Sequence, residues 1–544
     1  MHNLLKFITL SIFVISFTAC GSGDSSSQSN SSDINNINDV KYSIDYKGLY
    51  FYAQNTPLSA YKLQALSDAE FNELNSTTQI QVADKLLSSL FFGYSSQELN
   101  EKIAKGTFLT DLAKNLQKDT TDKSWLEAYI KDENIFTQNQ NEQEALDILT
   151  RFYAAKELDR YFFHNWIAYI LTQTIMFSPA YELESSHNPN IARVYNRLVF
   201  SLEEEFSLAY ISYIHMMSED NWRRFRSPED NGREMLEIFT NDRDDSKVPL
   251  AGKALQNWKL NRDNDTLVVT LNENREALNL FNTTIYNGDD FYREMVKSEA
   301  FENTVVQRLV SFFFTDSSRS TITSVSNSIL QSNPKSWQDI LTQILFSKEY
   351  LLHTSRAKSA EETFFSLSKK LAVKHRKTTI YYFKYALEAM HQASMKYKLG
   401  KIKRVPLDTL SFANYHKSVR DELLLRRSDP KYSDDYNAWQ RQGWSDSFIA
   451  DENFGYNYQD EEASLVSFIN YLFVYTISRE ANTQELEMLK RHMLKEKNGV
   501  MVLHSAYDMF TDRDNRESRK RNIAYTVLDY LSRVDAMYTY KEVN

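Results

Sequence analysis

Tyr161-Phe-Phe-His-Asn-Trp-Ile-Ala-Tyr-Ile-Leu-Thr-Gln-Thr-Ile-Met-Phe177 is apolar or aromatic on almost every side when wound as a helix, and it closes a run from Glu142 that holds neither Gly nor Pro. A helix without a polar face has to be covered by other helices, because no side is left for water. A membrane span is the rival reading. It is disfavoured because His164, Asn165, Thr172, Gln173 and Thr174 interrupt a run of some 17 residues, whereas a span needs about 20 consecutive apolar ones. The stretch therefore predicts the central helix of a bundle.

Composition extends that reading to the whole chain of 544 residues, which holds only 12 Gly and 8 Pro. Both residues break helices, and both fall far below their usual shares of about 7% and 5%. With 42% hydrophobic and 13% aromatic residues the chain can bury a large core. The expected fold is mainly α: a multi-helix body of packed helical hairpins with one small β-hairpin insertion near 256–286. Trp258-Lys259-Leu260 and Thr266-Leu267-Val268-Val269-Thr270-Leu271, on either side of a polar turn, carry the β-hairpin signal, with Leu278 to Tyr286 as a candidate extension. Elsewhere Ile80, Ala83, Leu87, Leu90 and Phe91 fall at helical spacing, Gly93 stops them, and Ser95 with Glu98 reads as a capping box that restarts the helix. From about Asp289 to the C-terminus the pattern is helical.

The single cysteine, Cys20, bears on location. Residues 1–20 read as a short n-region with Lys6, an apolar region from Phe7 to Phe17, and a small-residue approach, Thr18-Ala19, to Cys20. This resembles a bacterial lipoprotein signal peptide, with Phe17 standing where leucine is usual. The resemblance implies cleavage before Cys20 and lipidation of its thiol by diacylglycerol, with fatty acyl chains such as palmitate. An ordinary secretory signal or an N-terminal anchor is the alternative. Residues 21–39 are rich in Ser and Asn and predict a flexible tether. By the same resemblance, Gly21 rather than aspartate after the lipidated cysteine favours the outer membrane over the inner, so the expected place is the cell envelope and periplasm. Beyond the tether we expect a helical region with the small β-hairpin over 40–300, a second helical region over 301–427, a loop at 428–460 and a C-terminal helical region over 461–544.

Candidate chemistry gathers at three places. Ser227-Pro228-Glu229-Asp230-Asn231-Gly232-Arg233-Glu234-Met235-Leu236-Glu237-Ile238-Phe239-Thr240 opens as a capped helix, with Ser227 as N-cap and Pro228 in the first turn. Asp230, Glu234 and Glu237 share one face, opposite Met235, Leu236, Ile238 and Phe239. Three carboxylates there can ligate calcium or supply an acid and base, while Glu229, Arg233 and Glu237, four apart, also form an ordinary structural ion-pair ladder. His164 in the apolar helix is either a satisfied core histidine or a catalytic partner for those carboxylates. The segment Lys369 to Arg404 holds eleven Lys or Arg against the single acid Glu388. Lys374, Arg376, Lys377, Lys401, Lys403 and Arg404 are its candidates for binding an anionic lipid, glycan or other polyanion, and packing against acidic neighbours is the alternative. Acidic Glu203-Glu204-Glu205 reads as a solvated face.

The formal charge of −10 argues against nucleic acid as a partner. No phosphate loop, dinucleotide fingerprint, zinc helix motif or nucleophile elbow is present, so no cofactor and no metal are expected.

Four stretches resemble an exported bacterial family known only as domain of unknown function 1800, over roughly residues 80–355. They are Leu90-Phe91-Phe92-Gly93, Phe163-His164-Asn165-Trp166, the helix Pro228 to Phe239 that stands for the family hallmark, and Ala254-Leu255-Gln256-Asn257-Trp258. Both hallmark asparagines are changed, and Asn272-Glu273-Asn274-Arg275 stands where the family has a His-Asp pair. The resemblance implies an exported helical fold and assigns no activity. Together these features lead us to expect a lipid-anchored helical envelope protein that binds or scaffolds a partner, with a periplasmic hydrolase using His164 as the alternative. Metabolic labelling with a fatty acid tests the anchor: label is expected on the wild-type chain and absent from Cys20→Ala, and undiminished labelling of the variant would refute lipidation.

Overall fold

The computed structural model describes residues 63–119, 140–176, 191–225, 227–261, 266–373, 446–498, 500–511 and 513–543, with single positions 126, 128, 263, 380, 383 and 384. The lipoprotein-like segment, the tether and most of the basic segment lie outside these residues. Four helices come first: α1 (Asp68–Glu73), α2 (Ser76–Ser89), α3 (Ser96–Ala104) and α4 (Phe108–Asn115). Next are α5 (Gln140–Ala154), α6 (Arg160–Thr174), α7 (Ile191–Glu203), α8 (Leu208–Met216), α9 (Glu219–Arg224), α10 (Pro228–Thr240) and α11 (Val248–Ala254). Two β-hairpins follow, β1 (Trp258–Asn261) with β2 (Thr266–Val269) and β3 (Leu278–Leu280) with β4 (Thr283–Ile285). Helices resume with α12 (Gly288–Val296), α13 (Glu299–Phe313), α14 (Arg319–Gln331), α15 (Trp337–Leu345), α16 (Lys348–Leu351) and, after β5 (Arg356–Ala357), α17 (Ala360–Lys370). The last described elements are α18 (Glu461–Ile477), α19 (Thr483–Met493), β6 (Leu494–Lys497), β7 (Val500–Leu503), α20 (Arg516–Leu531) and β8 (Thr539–Tyr540). The fold is mainly α.

Helix α6 is central, and every residue from Phe162 to Thr174 is buried. One continuous apolar core draws on all three expected helical regions. Edge-on aromatic contacts close its middle: Phe91, at the end of α2, meets Phe152 of α5 at 5.5 Å and Tyr169 of α6 at 5.3 Å. Phe91 has φ +59, a left-handed step that ends α2 and turns its ring inward.

Three sequence expectations need correction. The region near 256–286 holds two separate hairpins rather than one, with registers Trp258↔Val269 and Leu278↔Ile285. The C-terminal region is not purely helical, because β6 and β7 pair from Leu494↔Leu503 to Lys497↔Val500. The pair Asn498-Gly499 is the overlooked signal, since Asn498 takes φ +54 in the turn, where Asn and Gly are favoured. At Ser95 the hydroxyl caps the Glu98 amide at 3.3 Å, but the reciprocal half of the box is not made, and Glu98 faces Lys102 at 3.7 Å instead.

A buried ionic network ties the chain's distant parts together. Asp84 of α2 meets Lys358 at 3.5 Å and Ser478 Oγ at 3.0 Å, and pairs with Lys370 of α17. Arg356 of β5 grips Glu362 with two bonds of 2.6 and 2.8 Å and lies 4.6 Å over the Tyr540 ring. Tyr540 belongs to β8, which pairs with β5, and its hydroxyl meets Ser88 Oγ at 2.8 Å. Burial pushes the Asp84 carboxyl up, but Lys370 and Lys358 prevail and hold it at about 2.

The neighbouring Lys85 donates to the carbonyls of Thr354 and Leu351. Burial pushes its amine down to about 6, with Arg356 adding to the effect. Between that value and the ordinary 10.5 the unfolded chain binds the extra proton, so stability rises with pH through this window. Replacing Lys85 by Met should flatten the rise in unfolding free energy between pH 7 and 9, measured by urea titration, by up to about 1.4 kcal/mol per pH unit. An unchanged slope would mean that Lys85 is charged in the fold.

Candidate functional site

His164 sits on the second turn of α6, a helix started by Asp159, whose carboxylate accepts from the Phe162 amide at 2.8 Å. Its side chain is 3% exposed. Both ring nitrogens are occupied. Nδ1 lies 2.7 Å from Glu203 Oε1 at the end of α7, and Nε2 lies 3.0 Å from the amide nitrogen of Gln338 on α15. An amide nitrogen only donates, so Nε2 accepts and Nδ1 carries the proton toward Glu203. Asn165 is satisfied as well, donating to Tyr161 O at 2.8 Å and accepting from the Tyr195 hydroxyl.

Above His164 lies a groove of about 800 Å³ between the end of α4, the start of α6, the turn after α7 and the segment from Ser332 to Gln343. Charged side chains in its wall are tethered. Arg160 bridges Glu205 at 2.8 Å and Asp119 at 3.2 Å, and Asp339 accepts from the Lys335 and Ser336 amides at 3.0 and 3.1 Å. Two residues in the wall take left-handed backbone, Glu205 at φ +57 and Asn333 at φ +52. These steps end α7 and α14 and turn the chain across the mouth of the groove.

Among the described residues no cluster of His, Cys, Asp and Glu can hold a metal ion, and no helix is long and apolar enough to cross a membrane. The other predicted residues do not join His164 through its ring. Asp230, Glu234 and Glu237 lie half-buried on α10, whose principal neighbours are α11 and α13. The expected ladder of Glu229, Arg233 and Glu237 is not formed, since none of the ion pairs among the described residues joins these three. Glu229 and Arg233 are exposed, and in water such pairs gain too little to hold two long side chains in one place.

The hallmark-like stretch instead carries packing. Asn231 is fully buried and accepts from the Tyr292 hydroxyl at 2.7 Å. Gly232 lets α10 cross α11 closely, because a Cβ there would lie 2.7 Å from the Ala251 Cβ. Trp222 stacks on Trp258 at 5.8 Å beside this crossing.

Cys20 and the polyanion candidates Lys374, Arg376, Lys377, Lys401, Lys403 and Arg404 lie outside the described residues. Three described members of the basic segment turn inward. Lys370 pairs with Asp84, Lys384 is 1% exposed, and Lys369 donates to the carbonyls of Tyr153 and Ala155. Burial holds the Lys369 amine down at about 7.

Sequence reasoning missed Glu203 and Gln338, which stand 39 and 174 positions from His164. Glu203, Glu204 and Glu205 are all exposed, as a solvated face requires, and Glu203 still reaches the buried His164 from that face. No family model, no curated protein and no solved structure matches the chain.

Removing the Glu203 carboxylate leaves the buried His164 N–H without its acceptor. Glu203→Ala should cost about 1–3 kcal/mol in urea unfolding, while Glu204→Ala, on an exposed neighbour, should stay within about 0.5 kcal/mol. Equal effects would show that the pair does not hold the helices.

Proposed function

We propose that this chain is a lipid-anchored helical protein of the cell envelope, tethered to the outer membrane through Cys20, that binds its ligand in the groove above His164 without transforming it. The observation that carries binding over catalysis is the occupation of both His164 nitrogens by Glu203 and Gln338. A general base needs a ring nitrogen open to the substrate proton within hydrogen-bond reach. The groove's volume of about 800 Å³ falls in the range of small-molecule sites, roughly 300–1,000 Å³. The divergent resemblance to the exported family of unknown function fits the same place in the cell.

A hydrolase reading is supported by one feature. A carboxylate at 2.7 Å from Nδ1 is the arrangement that orients a catalytic imidazole, and withdrawal of Gln338 would open Nε2. In that reading Glu203 takes the part expected of Asp230, Glu234 or Glu237. Gln338→Ala, which opens Nε2, separates the two: a gain of hydrolytic turnover on envelope esters or amides would favour the enzyme.

Thermal melting of the full-length protein in detergent tests the groove. Lipid, glycan and peptide fractions of the envelope are added in turn to the wild type and to two variants that fill the groove, Thr342→Trp and Gln117→Trp. At least one fraction should raise the melting temperature of the wild type and of neither variant. If every fraction shifts all three proteins alike, or none shifts the wild type, the groove is not a binding site.

A further inference from the structure

Groove chemistry narrows the ligand, given the binding reading above. Its charged wall residues are Arg160, Lys335, Glu205 and Asp339, two of each sign. Arg160 and Glu205 neutralise one another at 2.8 Å, and Asp339 accepts from backbone amides at its own helix start. With two charges of each sign, the wall presents no net charge that would select an anion or a cation. The remaining polar lining is made of side-chain amides and hydroxyls, including Gln117, Asn333, Gln338, Thr342 and Gln343.

Asn333 supplies the most pointed observation. Its Oδ1 is buried and has no hydrogen-bond partner among the described residues. A buried acceptor without a donor is costly, so a hydroxyl that reaches Oδ1 from the groove recovers an interaction that the fold leaves open. Gln338 has given its amide nitrogen to His164, which fixes the amide plane and leaves its oxygen as the acceptor. Because His164 is held from behind by Glu203 at 2.7 Å, the position of that oxygen is set by α6, α7 and α15 together.

Acceptors and donors paired on planar amides complement neighbouring hydroxyls, each of which gives one hydrogen bond and takes others. An extended peptide would instead seek an open strand edge or a row of apolar pockets. The apolar members of this wall include Leu116 and Phe163, whose side chains are already buried in the core. We infer that the groove above His164 takes an uncharged polyhydroxylated ligand, a short neutral glycan, with Asn333 Oδ1 accepting from one of its hydroxyls and the Gln338 amide from another.

The full-length protein in detergent is titrated with maltotriose, cellotriose and chitotriose as neutral probes. Sialyllactose serves as an anionic glycan and trialanine as a peptide. At least one neutral trisaccharide should bind the wild type. Asn333→Gly, which keeps the left-handed backbone, should weaken that binding about tenfold or more, the worth of one hydrogen bond to a buried group. Its melting temperature should not fall, because the deleted acceptor has no partner among the described residues. A fall in stability with unchanged affinity would make Asn333 a structural residue and overturn its role. Binding of sialyllactose or trialanine alone, sensitive to Thr342→Trp, would overturn the neutral glycan and leave the groove a binding site. Absence of any groove-dependent binding would overturn both.

Discussion

Asp84, Arg356 and Glu362 are charged, all but inaccessible to water, and answered by Lys358, Lys370, Tyr350, Tyr540 and Ser478. An isolated charge in such a place would be prohibitively costly, whereas a set of opposite charges in contact is tolerated. That requirement fixes α2, β5, α17, the end of α18 and the C-terminal strand β8 in one arrangement. Moving any of them strands a charge. The network adds specificity of assembly to a core whose aromatic contacts alone would accept several packings.

From this centre the fold reaches the candidate site through α6. Trp166 donates its indole N–H to the Ser89 carbonyl at 2.9 Å, and Tyr169 donates to Glu361 at 2.6 Å, so α6 is pinned to both α2 and α17. His164 lies two residues before Trp166 on the same helix. Its ring is held between the end of α7 and the start of α15, where helix ends leave polar backbone and capping side chains in reach. The groove is polar partly for that reason, and partly because Gln338, Asp339, Thr342 and Gln343 line it as one polar face of α15.

Some of this was legible. The apolar run around His164, the scarcity of Gly and Pro, and the Ser227-Pro228 start of α10 each act locally, and each became the helix that local chemistry predicts. Separation of the α10 carboxylates from its apolar face was legible too, since 100° per residue is a property of any helix. Glu203 as the partner of His164 was not, because nothing in an acidic triplet marks which member lies beside a histidine 39 positions away. The inward turn of Lys369 and Lys370 was one of two readings that the basic segment left open. Their charge suggested an exposed basic face, and only the carbonyls of Tyr153 and Ala155 and the Asp84 carboxylate, far away in sequence, made burial tolerable.

The sequence by itself determined a mainly helical protein with a buried α6, since helix propensity, capping and apolar periodicity operate within a few residues. It also carries the N-terminal pattern on which the envelope anchor is proposed. Only the tertiary structure decided that Asp84, Arg356 and Glu362 share a core, that Asn231 and Gly232 serve a helix crossing, and that His164 meets Glu203 and Gln338 below a groove. Those pairings join residues far apart along the chain, and their energy comes from desolvation and hydrogen bonding that exist only once the helices have packed.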